Sequence, residues 1–197
     1  MSIKGMKQTK PAQAMELRSL SPVLGGPEVD GMMPAEPSVV TPESAFEAAI
    51  IEAAREILSE SNRNYLLVPR FGLDFAVFLD SPSGVNMRLV EAKVYSAQRM
   101  GGVGFGNQRG EGPQVELLLC SEAPARLLKP TVRWVFADAT LPAGAARYAC
   151  FDRATAKAAT MGVVATGKQN NFSVRKLQPQ YCAWPALLAQ LKEFLLE

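Results

Sequence analysis

Residues 72–93 read GLDFAVFLDSPSGVNMRLVEAK, and the reading of the rest of the chain follows from them. Two runs rich in Val, Phe and Leu, Asp74 to Leu79 and Met87 to Val94, flank the turn formers Ser81-Pro82-Ser83-Gly84. That pattern predicts a β-hairpin. Successive side chains of a strand point to opposite faces, so Glu91 and Lys93 share one face while Val90, Ala92 and Val94 occupy the other. A hairpin closed at 81–84 brings Asp74, at the start of its first strand, beside the far end of its second. Two acids and a lysine then converge on a strand whose other face is apolar.

Carboxylates held together away from water repel and lose hydration, unless a divalent cation lies between them. Hard cations such as Mg2+ take carboxylate oxygens and keep waters, as metal-assisted phosphodiester hydrolysis requires. Asp74, sixteen intervening residues and Glu91-Ala92-Lys93 resemble the D…(D/E)xK signature of the PD-(D/E)xK nuclease superfamily, the fold of restriction endonucleases and many recombination and repair nucleases. Leu73 stands where that signature often has proline. The resemblance implies an α/β fold, a restriction endonuclease-like core with a central mixed β-sheet flanked by helices on both faces. It implies a metal-dependent nuclease in which Asp74, Glu91 and the carbonyl of Ala92 hold Mg2+ or Mn2+, and Lys93 orients or deprotonates a water. DNA is the implied partner and RNA a weaker alternative, with a homodimer among the expected assemblies. The reading from a different class is a nucleic-acid-binding or assembly module that keeps the fold without catalysis.

Upstream, Thr41-Pro42-Glu43-Ser44 opens a helix, with Thr41 expected as N-cap and Pro42 at the first helical position. At about 100° per residue, Phe46, Ile50, Ala53, Ala54, Ile57 and Leu58 make one apolar stripe, and Glu47 falls inside it. In the family resembled, the first helix often adds an acid to the metal site. Glu47 is therefore the expected accessory ligand, with Glu43 as its rival. Downstream, 101–112 holds six glycines in twelve residues and is read as a mobile loop, with Arg109 and Gln108 able to touch DNA. It is no P-loop, because no Gly-Lys-Ser/Thr follows. Pro113 then starts a helix, with strand as the rival reading for Val115 to Cys120. The resemblance makes Gln114 the polar residue that faces the site from this helix, and Gln108 the second choice.

Val132 to Ala137 and Ala146 to Phe151 read as strands whose apolar character points to central places in the sheet. Asp152 to Thr160 reads as a short helix and 167–171 as a turn. Lys168, Arg175 and Lys176 are candidate phosphate contacts. Pro185 begins a last helix with Leu187, Leu188, Leu191, Phe194 and Leu195 on its buried side. Residues 1–40, rich in Pro, Gly, Ser and Met without periodicity, read as a flexible tail ahead of a domain at 41–197.

Composition bounds these readings. A chain of 197 residues with 48% apolar content suits one domain, and no apolar run approaches the roughly 20 residues of a membrane helix. With no histidine in the chain, His-based triads and His ligands are excluded. Cys120, Cys150 and Cys182 are widely spaced without CxxC, which reads as reduced thiols in a cytoplasmic protein with no zinc site. Net charge is only +2, yet residues 129–197 carry nine basic and four acidic side chains, while 41–128 carry eight and eleven. An acidic centre beside a basic flank suits a metal site next to a phosphate-binding surface.

Overall fold

In the computed structural model, the described residues are 33–82, 84–99, 101–107, 109–119 and 131–197. They begin with Met33 to Val40, part of the stretch read as tail, which packs against the domain. Val40 is buried, and Glu36 Oε1 accepts from Arg147 Nη2 and the Tyr148 hydroxyl, both at 2.8 Å. The remaining residues of the expected tail, 1–32, lie outside the described residues.

Helix α1 spans Glu43–Ser59 and buries Phe46, Ile50, Ala53, Ala54, Ile57 and Leu58, the stripe that its periodicity predicts. Its first turn corrects one expectation: Pro42 takes the N-cap position with no side-chain cap, and Thr41 stands outside. Strand β1 (Tyr65–Pro69) leads through a turn to β2 (Phe75–Ser81), which returns as β3 (Gly84–Tyr95). The register Ser81↔Gly84, Phe78↔Met87, Phe75↔Val90 closes the hairpin at the turn expected from its sequence. After β4 (Gly102–Phe105) and α2 (Pro113–Leu119) come β5 (Thr131–Asp138) and β6 (Tyr148–Phe151). Helix α3 (Arg153–Ala159) follows, capped by Asp152, whose carboxylate accepts from the Thr155 amide. The chain closes with β7 (Asn170–Ser173), α4 (Val174–Leu177), a 3-10 turn at Gln178–Gln180 and α5 (Trp184–Leu196).

Among the described residues, β1-β2-β3-β5-β6 form a mixed sheet in that order, with β3 and β5 parallel and the other neighbours antiparallel. A parallel pair needs a long crossover, and here it carries β4 and α2 across one face. On the opposite face, Val90, Ala92 and Val94 pack with α1 and α5 in one apolar core. The crossover side has a second core around Trp134, Phe136, Phe151 and Phe172, closed by α2, α3, α4 and the β4–β7 pair. The architecture is therefore α/β with helices on both faces of a mixed sheet.

Two expectations change. Strand β6 lies at the rim of the sheet, not its centre; it is buried because α5 covers it and Cys182 bridges its outer edge through Tyr148. The glycine-rich segment is not a plain loop, since Gly102–Phe105 pairs antiparallel with β7. Tertiary pairing supplies what the glycines do not encode. Pro113–Leu119 is helix and not strand.

Candidate active site

The site arises where β3 outruns β2. Their ladder stops at Phe75↔Val90, yet β3 continues to Tyr95, so the backbone of Ala92 and Val94 faces a side that β2 has left. Unpaired backbone groups in a partly buried place require partners. Asp74 Oδ2 accepts from the Ala92 amide at 2.6 Å, and Glu43 Oε2 accepts from the Val94 amide at 3.2 Å. Within a strand, the N–H and C=O of one residue point to the same side, which turns the Ala92 carbonyl toward Asp74 as well.

On the crossover face of the same strand stand Glu91 and Lys93, 4% and 7% exposed. The ammonium of Lys93 donates to Glu43 Oε1 at 2.9 Å and pairs with Glu91 Oε1 at 2.7 Å. Glu91 Oε2 accepts from the Asp74 amide at 3.2 Å. From α2, Gln114 Nε2 donates to Glu91 Oε1 at 2.5 Å, and Trp134 Nε1 donates to Gln114 Oε1 at 3.3 Å. Asp74, the Glu91/Lys93 pair of β3 and Gln114 thus come together from three places in the sequence.

Between the two rival acids of α1, Glu43 makes the direct contacts. Glu47 lies one turn further along, half-buried, within electrostatic reach of Asp74, Arg70 and Lys93. Burial, and then Asp74, hold its carboxyl above the usual range. Burial likewise raises Asp74, against the opposing pull of the Ala92 amide and Lys93, with Glu43 adding to the rise. For Glu91, burial outweighs Lys93 and lifts the carboxyl to about 7. Burial alone would lower Lys93, but Glu91 and Glu43 outweigh it and its ammonium is held above the usual range. Two carboxylates, Glu43 and Glu91, therefore contact one ammonium, and Asp74 and Glu47 lie within its electrostatic reach, with Arg70 the further cation acting on Glu47.

That surplus is the test of whether a cation fits. All donors are oxygens, which suits a hard ion such as Mg2+ or Mn2+ and not a soft one. Among the described residues, no hydrogen-bond donor occupies Asp74 Oδ1 or the Glu47 carboxylate. Also among them, no three or more His, Cys, Asp or Glu side chains converge as a metal cage. Two carboxylates, Asp74 and Glu91, with the Ala92 carbonyl and water would be the ligands.

The residues expected to touch nucleic acid divide. Arg109 is exposed on the loop after β4, and Gly110 packs against the backbone of Lys168, so these two loops lie together. Arg175 is exposed on α4. Lys176 is engaged elsewhere: its ammonium donates to the carbonyls of Ala158 at 3.2 Å and Thr160 at 2.7 Å, at the end of α3. Gln108 lies outside the described residues. Sequence reasoning missed Trp134, although a buried indole N–H always calls for an acceptor. Its partner could not be named, because the β3–β5 register that sets Trp134 beside Glu91 joins distant segments.

Cys150 and Cys182 are free thiols. Among the described residues, no helix is long and apolar enough to cross a membrane. Compared with known proteins, the chain matches no family model, no curated protein and no solved structure.

Proposed function

We propose that this chain is a metal-dependent nuclease with a restriction endonuclease-like core that hydrolyses phosphodiester bonds of DNA. The observation that carries the proposal is the meeting of Asp74, Glu91 and Lys93 where β3 outruns β2, with more carboxylate, buried and half-buried, than Lys93 neutralises. Asp74, Glu91 and the Ala92 carbonyl would hold the ion, with Glu47 nearby. When bound, a divalent cation polarises the scissile phosphate and lowers the pKa of a coordinated water.

The chain's own groups do the rest. Gln114, braced by Trp134, fixes the carboxylate plane of Glu91. Lys93 stays charged near neutral pH because two carboxylates flank it, so it orients water and offsets charge on phosphate in preference to removing a proton. An ammonium has three donors, and two serve Glu91 and Glu43, leaving the third for a phosphate oxygen or the attacking water.

Plasmid nicking in Mg2+ or Mn2+ tests this. The wild type is expected to nick, and Asp74→Ala and Lys93→Ala to lose at least a hundredfold in rate, about 3 kcal/mol. Equal activity in all three proteins, or none with either metal, defeats the proposal.

One observation favours a non-catalytic nucleic-acid-binding module instead. Both oxygens of Glu91 already have protein donors, so this carboxylate is satisfied without an ion. Calorimetric titration separates the readings: a nuclease takes up Mg2+ with heat that Asp74→Ala abolishes, and the module shows none.

A further inference from the structure

The β4–β7 ribbon has an inner face of Val103, Phe105 and Phe172, all buried in the second core. Its outer face consists of the alternate residues, paired Gly102↔Ser173 and Gly104↔Asn171. Over that face opens a hollow of about 780 Å³, whose walls include Arg99, Gly102, Gly104, Met161, Gln169 and Asn171. An adjoining hollow of about 180 Å³ shares Met161, Gln169 and Asn171 and brings in Lys168. Among the described residues, no Asp or Glu lines either of them. The larger volume lies within the roughly 300–1,000 Å³ of sites that enclose a small organic group.

The walls have a definite chemistry. Gln169 Nε2 and Asn171 Oδ1 are 3.5 Å apart, the outer limit of a hydrogen bond, and the remaining amide groups of both have no partner among the described residues. Met161, 55% exposed, adds an apolar wall. The glycines keep the hollow deep: a Cβ on Gly102 would lie 2.5 Å from the Met161 sulfur, and one on Gly104 would lie 3.4 Å from Asn171 Oδ1. A ligand matching these walls is anionic, with a flat apolar face and a hydrogen-bonding edge.

We infer that the hollow over the β4–β7 ribbon binds unpaired nucleotides, with Arg99 and Lys168 facing phosphate, Asn171 and Gln169 facing base edges, and Met161 against a base plane. The choice of nucleic acid among anionic ligands rests on the nuclease reading above. Both ends of β4 lead back toward the candidate site, since Arg99 follows Lys93 by six residues and the segment after β4 runs into Gln114. A stacked base inside a duplex keeps its planes covered and cannot enter a concave pocket, whereas a single strand can lay bases into it in turn.

Fluorescence anisotropy of the full chain, in EDTA so that nothing is cleaved, compares a labelled single strand with the same sequence as a duplex. The single strand is expected to bind at least about tenfold more tightly, and Arg99→Ala and Gly104→Leu each to weaken it roughly tenfold, the scale of one base contact. Gly104 has no left-handed backbone angle, so leucine fills the hollow without backbone strain. Arg99 is exposed, and its removal does not threaten folding. Lys192→Ala, in α5 on the opposite core, should bind as wild type. Equal affinity for both forms of DNA, or wild-type binding in both hollow variants, overturns the inference. Because this readout needs no cleavage, failure to nick plasmid would defeat the nuclease reading and leave the hollow to be judged by binding.

Discussion

Glu91 is where burial and charge conflict most openly. Its carboxyl titrates near 7 in the folded protein against an ordinary 4.5, so the folded state holds a proton that the unfolded chain releases. Its contribution to stability is thus fully present below 4.5 and is lost as pH rises through 7, by at most about 1.4 kcal/mol per pH unit between the two values. In EDTA, thermal melts should show a lower midpoint at pH 8 than at pH 5, and Glu91→Gln should flatten the slope. If a cation replaces the proton, added Mg2+ raises the midpoint more at pH 8 than at pH 5. Gln114 is open to a separate measurement. Replacing it with alanine leaves the buried Trp134 indole without an acceptor and Glu91 Oε1 with Lys93 alone, and urea unfolding should register a loss of about 1–3 kcal/mol.

At the level of elements, legibility followed side-chain pattern. The hairpin was readable because alternation and the Ser81–Gly84 turn are local, and α1 and α5 because their stripes recur at helical spacing. With the hairpin came Asp74, Glu91 and Lys93. The β4–β7 ribbon was not readable, since glycines leave no periodic side chains and its register is set by a partner strand far along the chain. That Glu43, and not Glu47, bonds Lys93 and the Val94 amide was illegible for a related reason: helical phase says which face a residue occupies, not which turn reaches the strand edge. The segment at 33–40 looked like tail because it lacks periodicity, yet Glu36 meets Arg147, Tyr148 and the Gly144 amide. Arg147 is 5% exposed, so Glu36→Ala leaves a buried cation unpaired and should cost about 3 kcal/mol in urea unfolding.

For the whole molecule, the two cores divide the labour. The one beneath α1 and α5 is remote from the ribbon, while Phe172 in the other stacks on Phe105 at 4.3 Å and meets Trp134 edge-on at 6.2 Å. Ile50→Ala should cost about 2–5 kcal/mol in stability yet leave single-strand affinity intact in the folded fraction. Phe172→Ala should cost about 3–5 kcal/mol and weaken that affinity too. Circular dichroism with anisotropy on the same samples distinguishes them.

The return of β3 along β2 also has a kinetic side. Asp74 and Glu91 are brought together by a hairpin, among the quickest contacts a chain can make, whereas Gln114 and Trp134 reach them only after the β3–β5 crossover has closed. The like charges are therefore confronted on the way up the barrier, before their neutral supports have arrived. Asp74→Asn keeps an acceptor for the Ala92 amide while discharging one of the pair. Its effect at pH 8 should appear as faster refolding in stopped flow, with the unfolding limb nearly unmoved.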